Sequence, residues 1–136
     1  SRLDIDFAGN VAPTWYYGLW KQPCRVGDEK QCWFTQGEHA GARKYFPCLD
    51  EPRAKAVFDV KIARTEGWST LFNTRLLATE PLPDREGWVL DTFETTPRMS
   101  TYLIALAITD FSSKAAASGT NVTIWAEEGD AEAPRR

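Results

Sequence analysis

The chain has 136 residues, with 16 basic and 19 acidic side chains and a net charge of −3. That length suits one domain or a piece of one, and the negative balance argues against a groove for a phosphate backbone, so nucleic acid is excluded as a partner. The longest apolar run, Tyr102 to Ile108, is far too short for a membrane-crossing helix, and the opening "SRLDIDF" lacks the continuous apolar stretch of a signal peptide.

In chain order, Leu3, Ile5 and Phe7 alternate with Asp4 and Asp6, which predicts a half-buried strand. The beginning of such a pattern without an initiator Met reads as an excised fragment or a mature segment. Phe58, Val60 and Ile62 alternate in the same way with Asp59 and Lys61. In "WVLDTFET", Val89, Asp91 and Phe93 oppose Leu90, Thr92 and Glu94, so both faces are mixed. "TYLIALAI" is apolar on both faces and bounded by Pro97 and Asp110, which predicts a buried central strand. "SSKAAASG", Ser112 to Gly119, reads as a small-residue loop, and "NVTIWAE" as the last strand. Turn signals separate these runs at Gly9-Asn10, Gly27-Asp28, Glu66-Gly67, Pro83-Asp84 and Glu86-Gly87, with Asp84 to Gly87 forming a hairpin loop. No segment of helical length carries an amphipathic stripe. The prediction is an all-β fold, a saddle-like sandwich or curved antiparallel sheet over residues 1–126, with residues 127–136 as a polar linker or frayed tail. Six Trp residues are assigned to core and rim packing rather than to a dedicated aromatic site.

Most familiar catalytic apparatus is absent from the sequence. His39 is the one histidine, so the zinc-peptidase motif H-E-x-x-H, which needs two imidazoles one helical turn apart, cannot form. No G-x-S-x-G elbow supports a triad on His39, and no Gly-rich phosphate loop occurs. Cys24, Cys32 and Cys48 with His39 make four potential zinc ligands, but their spacing lacks the close C-x2-4-C pairs that aim two thiolates at one ion. The spacing favours a Cys24–Cys32 disulfide closing "RVGDEKQ", with Cys48 left as a small buried hydrophobe. Such a bridge points to an oxidising compartment. Asn121-Val122-Thr123 matches the N-glycosylation acceptor pattern and points the same way.

The densest stretch is "GARKYFPCLDEPRAKAVFDVKI", Gly41 to Ile62. Asp50 and Glu51 are adjacent, so in an extended chain they point to opposite sides, a poor geometry for paired acid/base carboxylates. Pro47 and Pro52 bracket them and rule out a regular helix. The reading is a rigid corner whose carboxylates accept hydrogen bonds from backbone N–H groups or from Arg43.

These residues resemble the N-terminal domain of the aminopeptidase N-like zinc metallopeptidases. The resemblance rests on Thr35-Gln36, on Ala42-Arg43-Lys44-Tyr45-Phe46-Pro47-Cys48-Leu49-Asp50-Glu51-Pro52, on Lys55-Ala56-Val57-Phe58, and on "FETTPRMSTYLIALAITDF", Phe93 to Phe111. "LFNTRLLATE" resembles the family's L-S-N-M segment, with Phe72 and Thr74 as departures. Gly41 stands where the family has an acidic residue, "PCRVGDEKQC" looks inserted, and the family's earlier strands are missing. The resemblance implies a β-domain that walls the substrate cleft of a zinc exopeptidase, with metal and general base in a catalytic domain that is absent here. Zinc belongs to that parent enzyme, and this chain is expected to bind none and to be inactive alone. Gln36 is implied to reach the cleft and hold the amino terminus of a peptide. Other members serve as docking receptors for toxins or viruses, so a cell-surface interaction module is an alternative, as is a truncated inactive homologue acting as a binding protein. An extracellular or membrane-anchored parent is implied.

Overall fold

The computed structural model describes residues 2–11, 17–25, 27, 29–115 and 122–127. It is nearly all β, with antiparallel sheets that do not close. Strands β1 (Gly18–Pro23), β2 (Gln31–Gln36), β7 (Leu106–Thr109) and β4 (Ser69–Phe72) form one sheet in the order β1-β2-β7-β4. Strands β3 (Lys61–Thr65), β6 (Trp88–Phe93) and β5 (Leu76–Pro81) form a second, in the order β3-β6-β5. A hairpin of β8 (Ser112–Ala115) and β9 (Thr123–Ala126) completes the described strands.

The turns fall where the glycines and prolines put them. Glu66-Gly67 links β3 to β4, and residues 82–87 link β5 to β6 around the expected Asp84 to Gly87 loop. The β3 strand begins at Lys61, three residues later than the alternation from Phe58 suggests. Phe58 and Val60 still sit half-buried while Asp59 and Lys61 are exposed. Their carbonyls accept hydrogen bonds from the Thr96 and Phe93 N–H groups at 3.0 and 3.1 Å.

Three expectations are corrected. Leu3, Ile5 and Phe7 form no strand and are 81, 52 and 60% exposed. An alternating pattern needs a sheet edge to satisfy its backbone, and no described strand pairs with this segment. The run Tyr102 to Ile108 is not strand throughout, because Thr101–Leu103 make a turn of 3-10 helix and pairing starts at Leu106. The remaining Leu106–Thr109 is central, between β2 and β4. Ser112–Ala115, expected as loop, is a strand, because its backbone finds a complete partner in β9 from Ser112↔Ala126 to Ala115↔Thr123. Apart from Glu127, the tail at 127–136 lies outside the described residues, as does Asn121.

The two larger sheets meet through β4 and β6. Phe72 and Phe93 pack with their rings tilted at 54° and centroids 5.2 Å apart. Beside them, Thr70 of β4 donates to the carboxylate of Asp91 on β6. The mixed faces of β6 thus have a cause: Val89, Asp91 and Phe93 all point inward, and the acid is fully buried. It is sustained there by Arg64 of β3, whose Nε and Nη2 donate at 2.6 and 3.2 Å, and by Thr79 of β5 at 2.6 Å. Burial pushes the Asp91 carboxyl up, but these donors and the Arg64 charge outweigh it and hold the group below the usual carboxylate range. Trp33 of β2 packs edge-on against Trp68 at 5.4 Å, and Trp20 tilts over Phe34 at 5.8 Å, the packing role expected of the tryptophans.

Candidate functional site

The Pro-bracketed corner is built around one carboxylate. Ala42–Lys44 form a short 3-10 turn, which directs the Arg43 N–H at Asp50 Oδ2 (3.1 Å). The Arg43 guanidinium returns to the same residue, Nε to Oδ2 at 3.2 Å and Nη2 to the Asp50 carbonyl at 2.9 Å. Thr101 Oγ1 donates to Oδ1 at 2.8 Å. The Asp50 side chain is 1% exposed. Burial pushes its carboxyl up, and the Arg43 N–H, the Thr101 hydroxyl and the Arg43 guanidinium together bring it below its ordinary value. Glu51 points outward instead and pairs with Arg53 at 2.7 Å in solvent. Phe46 is half-buried between Tyr45 and Phe58, with centroids at 5.3 and 6.1 Å, while Pro47 and Pro52 stay exposed. Two neighbouring carboxylates with such different surroundings do not make an acid/base pair.

The segment from Thr96 to Ile104 runs antiparallel along this corner and zips to it. Ser100 Oγ donates to the Pro52 carbonyl at 2.7 Å. Ala56 and Met99 exchange both backbone hydrogen bonds, at 3.0 and 2.9 Å. Thr96 Oγ1 accepts from the Phe58 N–H at 2.9 Å, and the Tyr45 hydroxyl donates to the Ile104 carbonyl at 2.9 Å. Burial first, then the Cys48 and Asp50 charges, push the Tyr45 phenol up to about 12. The two longest motifs of the sequence are therefore one joint seen from two sides.

Gln36 stands at the end of β2, opposite Gly18 of β1, with its side chain exposed. Thr35, one residue before, anchors the strand: its hydroxyl accepts the Leu106 N–H at 2.7 Å and donates to the Leu106 carbonyl at 3.3 Å. The loop beyond folds down tightly because it has no side chain at two positions. A Cβ on Gly37 would lie 2.6 Å from the Tyr102 carbonyl oxygen, and one on Gly41 would lie 2.6 Å from the Gln36 carbonyl oxygen. The Gly41 N–H closes the loop on the Gly37 carbonyl at 2.7 Å. Gln36 Oε1 accepts the Glu38 N–H at 3.1 Å, which fixes the amide and sets the exposed Glu38 two residues along the same loop. Glu38 and the bidentate Asn73 were not singled out from the sequence. Asn73 Nδ2 donates to the Leu103 carbonyl at 2.9 Å and its Oδ1 accepts the Ala105 N–H at 2.8 Å. The signal for both was present: a carboxylate two positions after Gln36, and an amide side chain just after a strand.

The other candidates lie apart. Cys24 and Cys32 are joined in a disulfide at the far end of the β1–β2 hairpin from Gln36. Cys48 is free and half-buried. Burial, then Asp50, push its thiol up, against Arg43 and Thr101. His39 is exposed in the loop. Among the described residues the one grouping with metal-ligand geometry is Cys24, Cys32 and Asp110; both sulfurs are bonded to each other, so the donor set does not fit a resident zinc.

The sequence matches the family description "Peptidase M1 N-terminal domain" over residues 1–103. It is 35% identical over 128 residues to aminopeptidase N of Oryctolagus cuniculus, covering 92% of this chain and 13% of that protein. It is 38% identical over 126 residues to endoplasmic reticulum aminopeptidase 1 of Homo sapiens, covering 90% of this chain and 13% of that one. Aminopeptidase Q of Mus musculus is 35% identical over 133 residues, or 95% of this chain and 24% of that protein. The chain thus spans about an eighth to a quarter of the relatives it matches.

Proposed function

Because the chain belongs to the peptidase M1 N-terminal domain family, we propose that it is the non-catalytic cleft wall of a zinc-dependent aminopeptidase and holds the amino terminus of a peptide. The observation that carries this reading is the Gln36 loop, an exposed amide and carboxylate on a backbone that lies against Tyr102 at Gly37. A peptide ammonium is a cation with three donors. The Gln36 oxygen, already aimed along the loop, and the Glu38 carboxylate offer acceptors for it. The catalytic nucleophile, general base and metal of such an enzyme are assigned to the catalytic domain of the parent. Zinc in the parent enzyme would polarise the scissile carbonyl and activate water from the catalytic domain, while these residues orient the substrate's first residue.

The disulfide suits an oxidising compartment, and a parent enzyme on the secretory pathway or at the cell surface agrees with it. Among the described residues no helix is long and apolar enough to cross a membrane. The test uses the full-length parent. Replacing Gln36 or Glu38 by Ala should lower kcat/KM for aminoacyl substrates roughly tenfold or more, the worth of a hydrogen bond to a charge, mainly through KM. Unchanged kcat/KM in both would remove the substrate role. The 136-residue chain alone, with added zinc, should not turn over an aminoacyl-nitroanilide.

A further inference from the structure

We propose that Cys24 and Cys32, once reduced, form with Asp110 a binding site for a thiophilic divalent cation of the zinc or cadmium type. The two Sγ atoms and a carboxylate oxygen of Asp110 all lie within 4.8 Å of one another. Three elements converge to put them there. The Cys24 N–H bonds the Lys30 carbonyl at 3.0 Å, closing the β1–β2 hairpin. Cys32 is the second residue of β2. The β2–β7 ladder, from Trp33↔Ile108, then delivers Asp110 one residue beyond β7 to the same end.

The cluster lies inside the fold. Cys24 and Cys32 are 3 and 0% exposed, and the Asp110 side chain 13%. Among the described residues Asp110 Oδ1 is buried with no hydrogen-bond partner, which costs free energy that a cation would recover. Oδ2 faces Lys30 Nζ at 3.6 Å. Two thiolates, a carboxylate and a divalent cation leave one negative charge, which the Lys30 ammonium at the solvent side offsets. Three protein ligands of the S2O type leave a fourth position for water, a coordination that zinc accepts.

Access is set by redox state. In the oxidised chain both sulfurs are spent on each other. A phosphine reductant supplies two electrons and becomes phosphine oxide with the oxygen of a water molecule. The S–S bond breaks, and the two remaining protons of that water complete two thiols. Each thiol then loses its proton as the cation binds.

The test uses the 136-residue chain as Cys48→Ser, so that only this pair can respond. After phosphine reduction it should take up one cadmium ion by native mass spectrometry, with a sulfur-to-cadmium charge-transfer band in the near ultraviolet and its far-ultraviolet circular dichroism unchanged. The oxidised chain should give no band. Asp110→Ala and the isosteric Asp110→Asn should each weaken uptake roughly tenfold or more, no less than the loss of an outer-shell partner. No uptake by the reduced chain overturns the proposal. So does equal uptake by the oxidised chain, an affinity in both Asp110 variants as high as with Asp110 in place, or a band that accompanies loss of the β signature.

Discussion

Asp50 and Glu51 are neighbours in sequence with opposite circumstances, and the difference is decided by what faces each. Asp50 collects the Arg43 N–H, the Arg43 guanidinium and the Thr101 hydroxyl; the Glu51 carboxylate pairs with Arg53 in solvent. Substituting Asp50 by Ala leaves the Arg43 N–H and the buried Thr101 hydroxyl without their acceptor, while the exposed Arg43 guanidinium is solvated, and should destabilise the chain by roughly 1–3 kcal/mol. Glu51→Ala should change stability by less than about 1 kcal/mol, as exposed pairs do. Urea unfolding of the two variants checks this directly, and equal losses would contradict the hub role. Cys48 gives a second measurement at this scale. With burial and Asp50 both disfavouring its thiolate, its alkylation by iodoacetamide should run slower than that of free cysteine at the same pH. Its rate profile should be displaced to higher pH.

At the scale of elements, the Gln36 loop depends on two positions that lack a Cβ. Gly37→Ala would press a methyl group within 2.6 Å of the Tyr102 carbonyl oxygen, a rigid backbone atom. The loop would have to lift, with an expected cost of roughly 1–3 kcal/mol for the overpacking. In the parent enzyme KM should rise even though no contacting residue has changed. The hairpin that carries Gln36 is tied at its other end by the Cys24–Cys32 bridge, eight residues apart. Removing that bridge with Cys24→Ser and Cys32→Ser should cost about 2–3 kcal/mol by the loop-entropy argument, read as a lower denaturation midpoint. Strand formation itself followed the local pattern only where a partner edge existed. The alternation Phe58 to Ile62 feeds β3, whereas the equally regular Leu3 to Phe7 stays unpaired. "SSKA" carries little strand pattern of its own, and it is a strand because β9 lies beside it.

For the whole molecule, the junction of the two sheets is polar as well as apolar. Asp91 draws one partner from each of β3, β4 and β5, so a single carboxylate ties three strands of one sheet to an edge strand of the other. Both Asp91 and Asp50 titrate below their usual range in the folded chain. Their stabilising contribution is therefore fully present above the unfolded carboxylate value, near pH 4. It is lost as pH falls through the lower folded values. Thermal melts should show a steep fall in Tm below about pH 4, and Asp91→Asn should be less stable at neutral pH with a shallower acid limb. A parallel acid limb in wild type and Asp91→Asn would assign acid sensitivity elsewhere.

The sequence by itself determined the β class, the turns at Glu66-Gly67 and Asp84 to Gly87, the Pro-bracketed corner, the Cys24–Cys32 pairing and the family resemblance. These are encoded in neighbouring residues, through alternation, fixed φ angles and motif order. The tertiary structure alone decided that Asp50 meets Thr101, that Thr70 meets Asp91, that Gly37 lies on Tyr102, and that Asp110 closes on the disulfide. Those contacts join residues 21 to 86 positions apart, and which chain segments become neighbours is settled by the packing of whole sheets, which no local pattern records.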